Sequence, residues 1–112
     1  MELLLERAGD VTVAVLKAEY LDGNTSRELK EKLAALPDDT NRLVLDLEQV
    51  LFIDSAGCGA ILSALKRLRE GGGDLKACCI TSSVRALFDL VRMNRIIGVY
   101  KTRDEAVAAF AG

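Results

Sequence analysis

The residues best placed for chemistry lie together in FIDSAGCGAIL, positions 52 to 62, where Asp54 adjoins Ser55, Cys58 follows, and Gly57 and Gly59 punctuate the run. An acid beside a hydroxyl fits three chemistries. The serine is a nucleophile if a base activates it. It borders a bound phosphate if the glycines let the backbone approach an anion at a helix start. It is itself an acceptor if a kinase places a phosphoryl group on it. A plainer role is that of helix N-cap, worth about 0.5 to 2 kcal/mol, with Asp54 complementing the positive end of the helix dipole.

The chain has no histidine. A Ser-His-Asp or Cys-His triad therefore cannot form within it, and the usual nitrogen ligand for zinc is missing. A Ser55 or Cys58 nucleophile lacks an activating base, so an enzyme is not expected, and neither a metal nor a cofactor is. Nucleotide binding is weakly supported, because the loop lacks the lysine of a P-loop and GCGAIL lacks the third glycine of a dinucleotide fingerprint. A helix N-terminus lowers a thiol pKa, but Cys58 shares an apolar stripe with Leu62 and is read as core packing. Cys78 and Cys79 are read as buried free thiols pointing to opposite faces of a strand.

Composition narrows the partners. The 112 residues carry 15 basic and 17 acidic side chains, a net charge of −2, intermixed rather than gathered in a stripe, which argues against nucleic acid. Half the residues are apolar, yet the longest apolar runs fall well short of the roughly 20 residues that cross a bilayer. The start MELLLERAG has early acids and no basic lead-in, unlike a secretory signal. A soluble, cytoplasmic protein of a single domain spanning residues 1–112 is expected, as a monomer or weak dimer.

The elements that must position the Asp54–Ser55 pair follow from periodicity. Leu3 to Glu6 and Val11 to Leu16 predict a hairpin across Ala8-Gly9-Asp10. Thr25 to Glu28 matches a capping box ahead of Leu29, Leu33 and Leu36 at helical spacing, with the helix ending before Pro37. Leu43 to Leu47 is apolar enough for a strand covered on both faces. Val50 to Ile53 leads into a helix that begins at Ser55, carries Ile61, Leu62, Leu65 and Leu68 on one stripe, and ends at Gly71-Gly72-Gly73. Leu75 to Ile80 predicts a buried strand. Thr81, Ser82 and Ser83 then supply hydroxyl caps to a helix with Val84, Leu87, Phe88 and Val91 inward. Ile96 to Tyr100 predicts a last strand, and Thr102 to Glu105 another capping box ahead of Ala106, Val107 and Phe110. The order ββαβαβαβα specifies an α/β fold, a mixed, mostly parallel sheet with four helices packed against it, and function in the loops after the strands' carboxyl ends.

Asp46 in the buried strand, DSAG at 54 to 57, Gly59, and LFDL at 87 to 90 followed by Ile96-Ile97 resemble the STAS domains, particularly single-domain bacterial anti-sigma factor antagonists. The resemblance spans nearly the whole chain. It implies the STAS fold and a regulatory function in transcription. The unphosphorylated form binds an anti-sigma factor that is also a serine kinase and releases the sigma factor. Phosphorylation of Ser55 switches binding off, and a PP2C-type phosphatase restores it. Carried over by position, Ser55 is the phosphoacceptor and Asp54 orients its hydroxyl. Ala56, Gly57, Cys58 and Gly59 complete the loop, with both glycines allowing a close-packed turn. Ser55, Ser63, Lys66, Arg67, Ser82 and Ser83 form the partner surface, and Asp46 is a structural polar group. Ala56 stands where a second serine or threonine is frequent, Cys58 where an aliphatic residue is common, and Val91-Arg92-Met93 where a small residue and glycine often end the third helix. The other clients such a fold serves are lipid-transport or stress-signalling complexes, in which it is a docking subunit.

Overall fold

The computed structural model describes residues 1–111. Its centre is a five-stranded sheet built from β1 (Glu2–Ala8), β2 (Val11–Lys17), β4 (Arg42–Asp46), β6 (Asp74–Cys78) and β7 (Gly98–Tyr100), in the order β1-β2-β4-β6-β7. Only the β1–β2 hairpin is antiparallel, turning at Gly9 with φ 65°; β2–β4, β4–β6 and β6–β7 are parallel. The predicted α/β order is thus met, and β4 is the central strand that its unbroken apolar run predicted.

Two short strands that periodicity did not separate, β3 (Tyr20–Leu21) and β5 (Phe52–Ile53), form a second, parallel sheet. Of the stretch Val50 to Ile53 that leads into the second helix, Phe52 and Ile53 are strand and Val50 and Leu51 are loop. Its Leu51 and Phe52 amides donate to the Glu19 carbonyl at 2.8 and 3.1 Å.

The helices are α1 (Gly23–Ala34), α2 (Ser55–Glu70), α3 (Ser82–Leu90) and α4 (Arg103–Ala111). Leu29 and Leu33 of α1, Ile61 and Leu65 of α2, and Val84 and Phe88 of α3 bury against Leu16, Leu43, Leu45 and Leu75 on one sheet face. Val11, Val13, Val15, Val44 and Cys78 project to the other face, where Ala106, Val107 and Phe110 of α4 cover them. This parity follows from the two-residue period of a strand. Fully burying each such aliphatic side chain contributes about 1.5 to 3 kcal/mol.

Several ends differ from expectation. The N-cap of α1 is Asp22, and Thr25 is its N3 partner rather than the cap: Asp22 accepts from the Asn24 and Thr25 amides, and Thr25 Oγ1 accepts from the Asp22 amide at 2.9 Å. α3 ends at Leu90, so Val91 is 43% exposed instead of continuing the inward stripe. Arg92 then adopts φ 60°, ψ 33°, making without glycine the left-handed turn that usually costs an L-residue about 1 to 2 kcal/mol. A 3₁₀ turn at Met93–Arg95 follows, and the last strand starts at Gly98 with Ile96 exposed. Cys79, with φ 62°, ends β6 two residues earlier than predicted. Its side chain consequently does not alternate away from Cys78. Gly73 has a packing role, because a Cβ there would lie 2.0 Å from the Asn41 carbonyl oxygen.

Candidate functional site

The site is built where β5 runs into α2. Asp54 is extended at φ −108°, ψ −173°, and its Oδ1 accepts the Gly57 amide at 3.0 Å. Asp54, not Ser55, is therefore the N-cap, and the cap expected of Ser55 is corrected. A carboxylate caps as well as a hydroxyl and carries the charge that the dipole favours. Ser55 becomes the first helical residue, exposed together with Ala56, and its hydroxyl is free of capping duty.

The loop is held from below. The Asp54 amide donates to the Leu21 carbonyl at 3.1 Å, binding the helix start to β3. A Cβ on Gly57 would lie 2.6 Å from Ile53 Cγ1 and 2.7 Å from the Leu21 carbonyl oxygen, so only glycine lets α2 approach the small sheet this closely. Gly59 has nothing within 4 Å of such a Cβ, and the packing role expected of it is not present. Cys58 is buried in the main core, and burial, with the nearby Asp54 charge second, raises its thiol pKa. It is a core residue, as expected.

Tyr20, Leu51 and Phe52 are 55%, 51% and 49% exposed. The Tyr20 and Phe52 rings pair at 6.4 Å and 53°, because register places them opposite each other while Leu21 and Ile53 point inward. An exposed apolar edge thus lies two residues from Asp54. Sequence reasoning missed these side chains. The signal was the Phe52-Ile53 alternation, but which of the two faces solvent depends on the β3 partner, distant in sequence.

The other predicted surface residues are placed as follows. Ser63 and Arg67 are exposed on the α1 flank of α2, where they line a small cleft with Lys30 and Leu33. Arg67 donates to the Leu33 carbonyl at 2.7 Å. Lys66 faces the opposite flank, in a shallow groove with Leu62, Arg69 and Ile96. Ser82 and Ser83 are exposed on the first turn of α3 and do not cap it. Thr81 does, accepting from the Val84 amide while donating to the Val50 carbonyl at 3.0 Å. That bond ties the start of α3 to the segment leading into Ser55. The phosphoacceptor loop expected over Asp54–Gly59 is helical from Ser55 onward, because Asp54 caps α2; the cleft of about 300 Å³ between the C-terminal ends of α1 and α2, floored by Leu33, Pro37, Leu43 and Leu68, shares no residue with it.

What the arrangement can do follows from its parts. Ser55 stands at the positive end of a 16-residue helix, with no histidine in the chain to activate it. It can accept a group from a partner, whose docking the apolar edge beside it would favour.

Comparison with known proteins is consistent along the chain. The sequence profile described as the STAS domain matches residues 2–106. A Bordetella bronchiseptica protein provisionally named anti-sigma factor antagonist BtrV is 32% identical over 98% of this chain and 95% of its own. The anti-sigma F factor antagonist of Paenibacillus polymyxa is 27% identical over 96% of this chain and 92% of its own. Among solved structures, the anti-sigma factor antagonist SpoIIAA in its unphosphorylated form superposes with a TM-score of 0.81 at 20% identity, covering 99% of this chain and 97% of that one.

Proposed function

This chain belongs to the STAS domain family, and from that premise we propose that it is an anti-sigma factor antagonist controlled by phosphorylation of Ser55. The observation that carries the reading is the exposed Ser55 at the first position of α2, with Asp54 doing the capping, beside the exposed Tyr20–Phe52 edge. The names of the relatives above support the anti-sigma factor as client.

In this reading the unmodified loop and apolar edge dock on an anti-sigma factor that is also a serine kinase. Ser55 Oγ takes the terminal phosphoryl group of ATP. An O–P bond forms, the bond to the leaving ADP breaks, and the hydroxyl proton passes to a base on the partner kinase. The helix N-terminus favours the dianion, whereas Asp54 opposes it. The modification adds about −1.5 to −2 charges. Each unit held ~6 Å from a partner carboxylate costs ~3 kcal/mol at an effective dielectric of about 20, or roughly a hundredfold in affinity. A PP2C-type phosphatase, by hydrolysing the ester, resets the surface. The chain itself turns over no substrate, and it works in the cytoplasm with its partner; no helix among the described residues is long and apolar enough to cross a membrane.

The test is a pull-down from the native host with wild type, Ser55→Ala and Ser55→Asp. Ser55→Ala should retain a kinase-like protein in the presence of ATP, and Ser55→Asp should recover it poorly. Equal recovery by all three removes the switch.

A further inference from the structure

The second face of the sheet carries a cluster that the proposed switch does not use. Asp46 ends β4 and Cys78 ends β6, and register sets them side by side under α4. The positive φ of Cys79 folds its side chain back toward the same point, so that the two Sγ atoms and a carboxylate oxygen of Asp46 all lie within 4.8 Å of one another. Cys78 is fully buried and Asp46 is 2% exposed, while Cys79 is half-buried and opens the cluster toward solvent.

Asp46 retains capacity for a ligand. Its Oδ1 accepts the Glu48 amide at 3.0 Å and its Oδ2 accepts from Arg103 at 2.9 Å, one bond per oxygen, which leaves each oxygen a second lone pair. Arg103 also pairs with Glu6. We propose that Asp46, Cys78 and Cys79 form a three-ligand site for a thiophilic divalent cation of the zinc class.

Three arguments support the choice of cation. Two sulfurs with one oxygen suit a soft or borderline metal and are poor ligands for magnesium or calcium. Metal–sulfur bonds of about 2.3 Å and metal–oxygen bonds of about 2.0 to 2.2 Å place tetrahedral ligands about 3.5 to 3.8 Å apart, so the cluster needs to contract by at most about 1.3 Å. Charge is largely offset as well: two thiolates and the Asp46 carboxylate face a divalent cation and the Arg103 guanidinium, which Glu6 shares. The fourth position, on the Cys79 side, is left to water, as in open three-ligand zinc sites.

Burial is the largest cause raising the pKa of both thiols. On binding, two S–H bonds are replaced by two S–metal bonds, and two protons pass to solvent.

The experiment titrates the reduced, metal-stripped chain with Co²⁺ and then Zn²⁺. A thiolate-to-cobalt charge-transfer band saturating at one equivalent, bleached by Zn²⁺ and accompanied by release of two protons, is expected. Cys79→Ala, at a half-exposed position and checked for folding by circular dichroism, should lose the band or weaken binding at least tenfold; Cys58→Ser should keep it. The proposal is overturned if no band forms at saturating Co²⁺, if the band survives undiminished in Cys79→Ala, or if it vanishes equally in folded Cys58→Ser. It is likewise overturned if the reduced chain takes up no metal and mass spectrometry instead finds Cys78 and Cys79 closing a disulfide in air.

Discussion

The Asp54 carboxylate accepts the Gly57 amide at 3.0 Å, and this one bond relieves Ser55 of capping α2. With the cap supplied one residue earlier, the serine is displaced onto the first helical position and presents its hydroxyl to solvent.

Removing that bond should loosen the helix start without touching the core. Asp54→Ala is expected to lower unfolding free energy by about 1 kcal/mol, and Asp54→Asn, which retains the acceptor, by only a few tenths. Urea denaturation of the three proteins at neutral pH reads both values. Equal losses in the two variants would show that charge at the helix dipole, and not the hydrogen bond, carries the effect.

Gly57 and Gly59, both in the first turns of α2, should part company. Gly57→Ala drives a methyl into the Leu21 carbonyl and Ile53 and should cost about 1 to 3 kcal/mol as an overpacked contact. Gly59 lies in the helix with open space around it, and Gly59→Ala should add about 0.5 to 1 kcal/mol. Thermal unfolding monitored by circular dichroism gives the sign of each.

Phe52 is half exposed and its ring meets that of Tyr20 at a tilt. If this edge is the docking surface, Phe52→Ser should weaken binding to the anti-sigma factor at least tenfold, as truncated aromatic anchors do. Its melting temperature should remain near that of wild type. Calorimetric titration with the partner recovered in the pull-down measures the first quantity and a melting curve the second; unchanged affinity would move the interface elsewhere on α2.

Asp74 gives the acid response a named contributor. Burial raises its pKa, but the Leu75 amide, Arg69 and Lys76 outweigh that and hold the carboxyl below its ordinary 3.8. A folded-state pKa depressed in this way supplies stability that is fully present above the unfolded value and is lost as pH falls through the folded one. Asp74→Asn should therefore reduce stability at pH 7 and flatten its decline below about pH 4, which denaturation midpoints measured from about pH 2 to 7 would show.

The sequence by itself determined the order of the principal elements, the central place of β4, the burial of Cys58 and the strand-to-helix junction at which Ser55 lies. These rest on local information: a two- or 3.6-residue period, an unbroken apolar run, or a cap-like residue ahead of a stripe. The tertiary structure decided that Asp54 rather than Ser55 caps α2, that Phe52 rather than Ile53 faces solvent, and that Cys79 turns back beside Cys78 and Asp46. Each depends on a neighbour remote in the chain: Leu21 holding the Asp54 amide, Tyr20 setting the register of β5, and Tyr100 accepting the Cys79 amide at 3.1 Å. A residue's type limits which hydrogen bonds it can make, but the partner that fixes its side-chain direction arrives only when the strands pair.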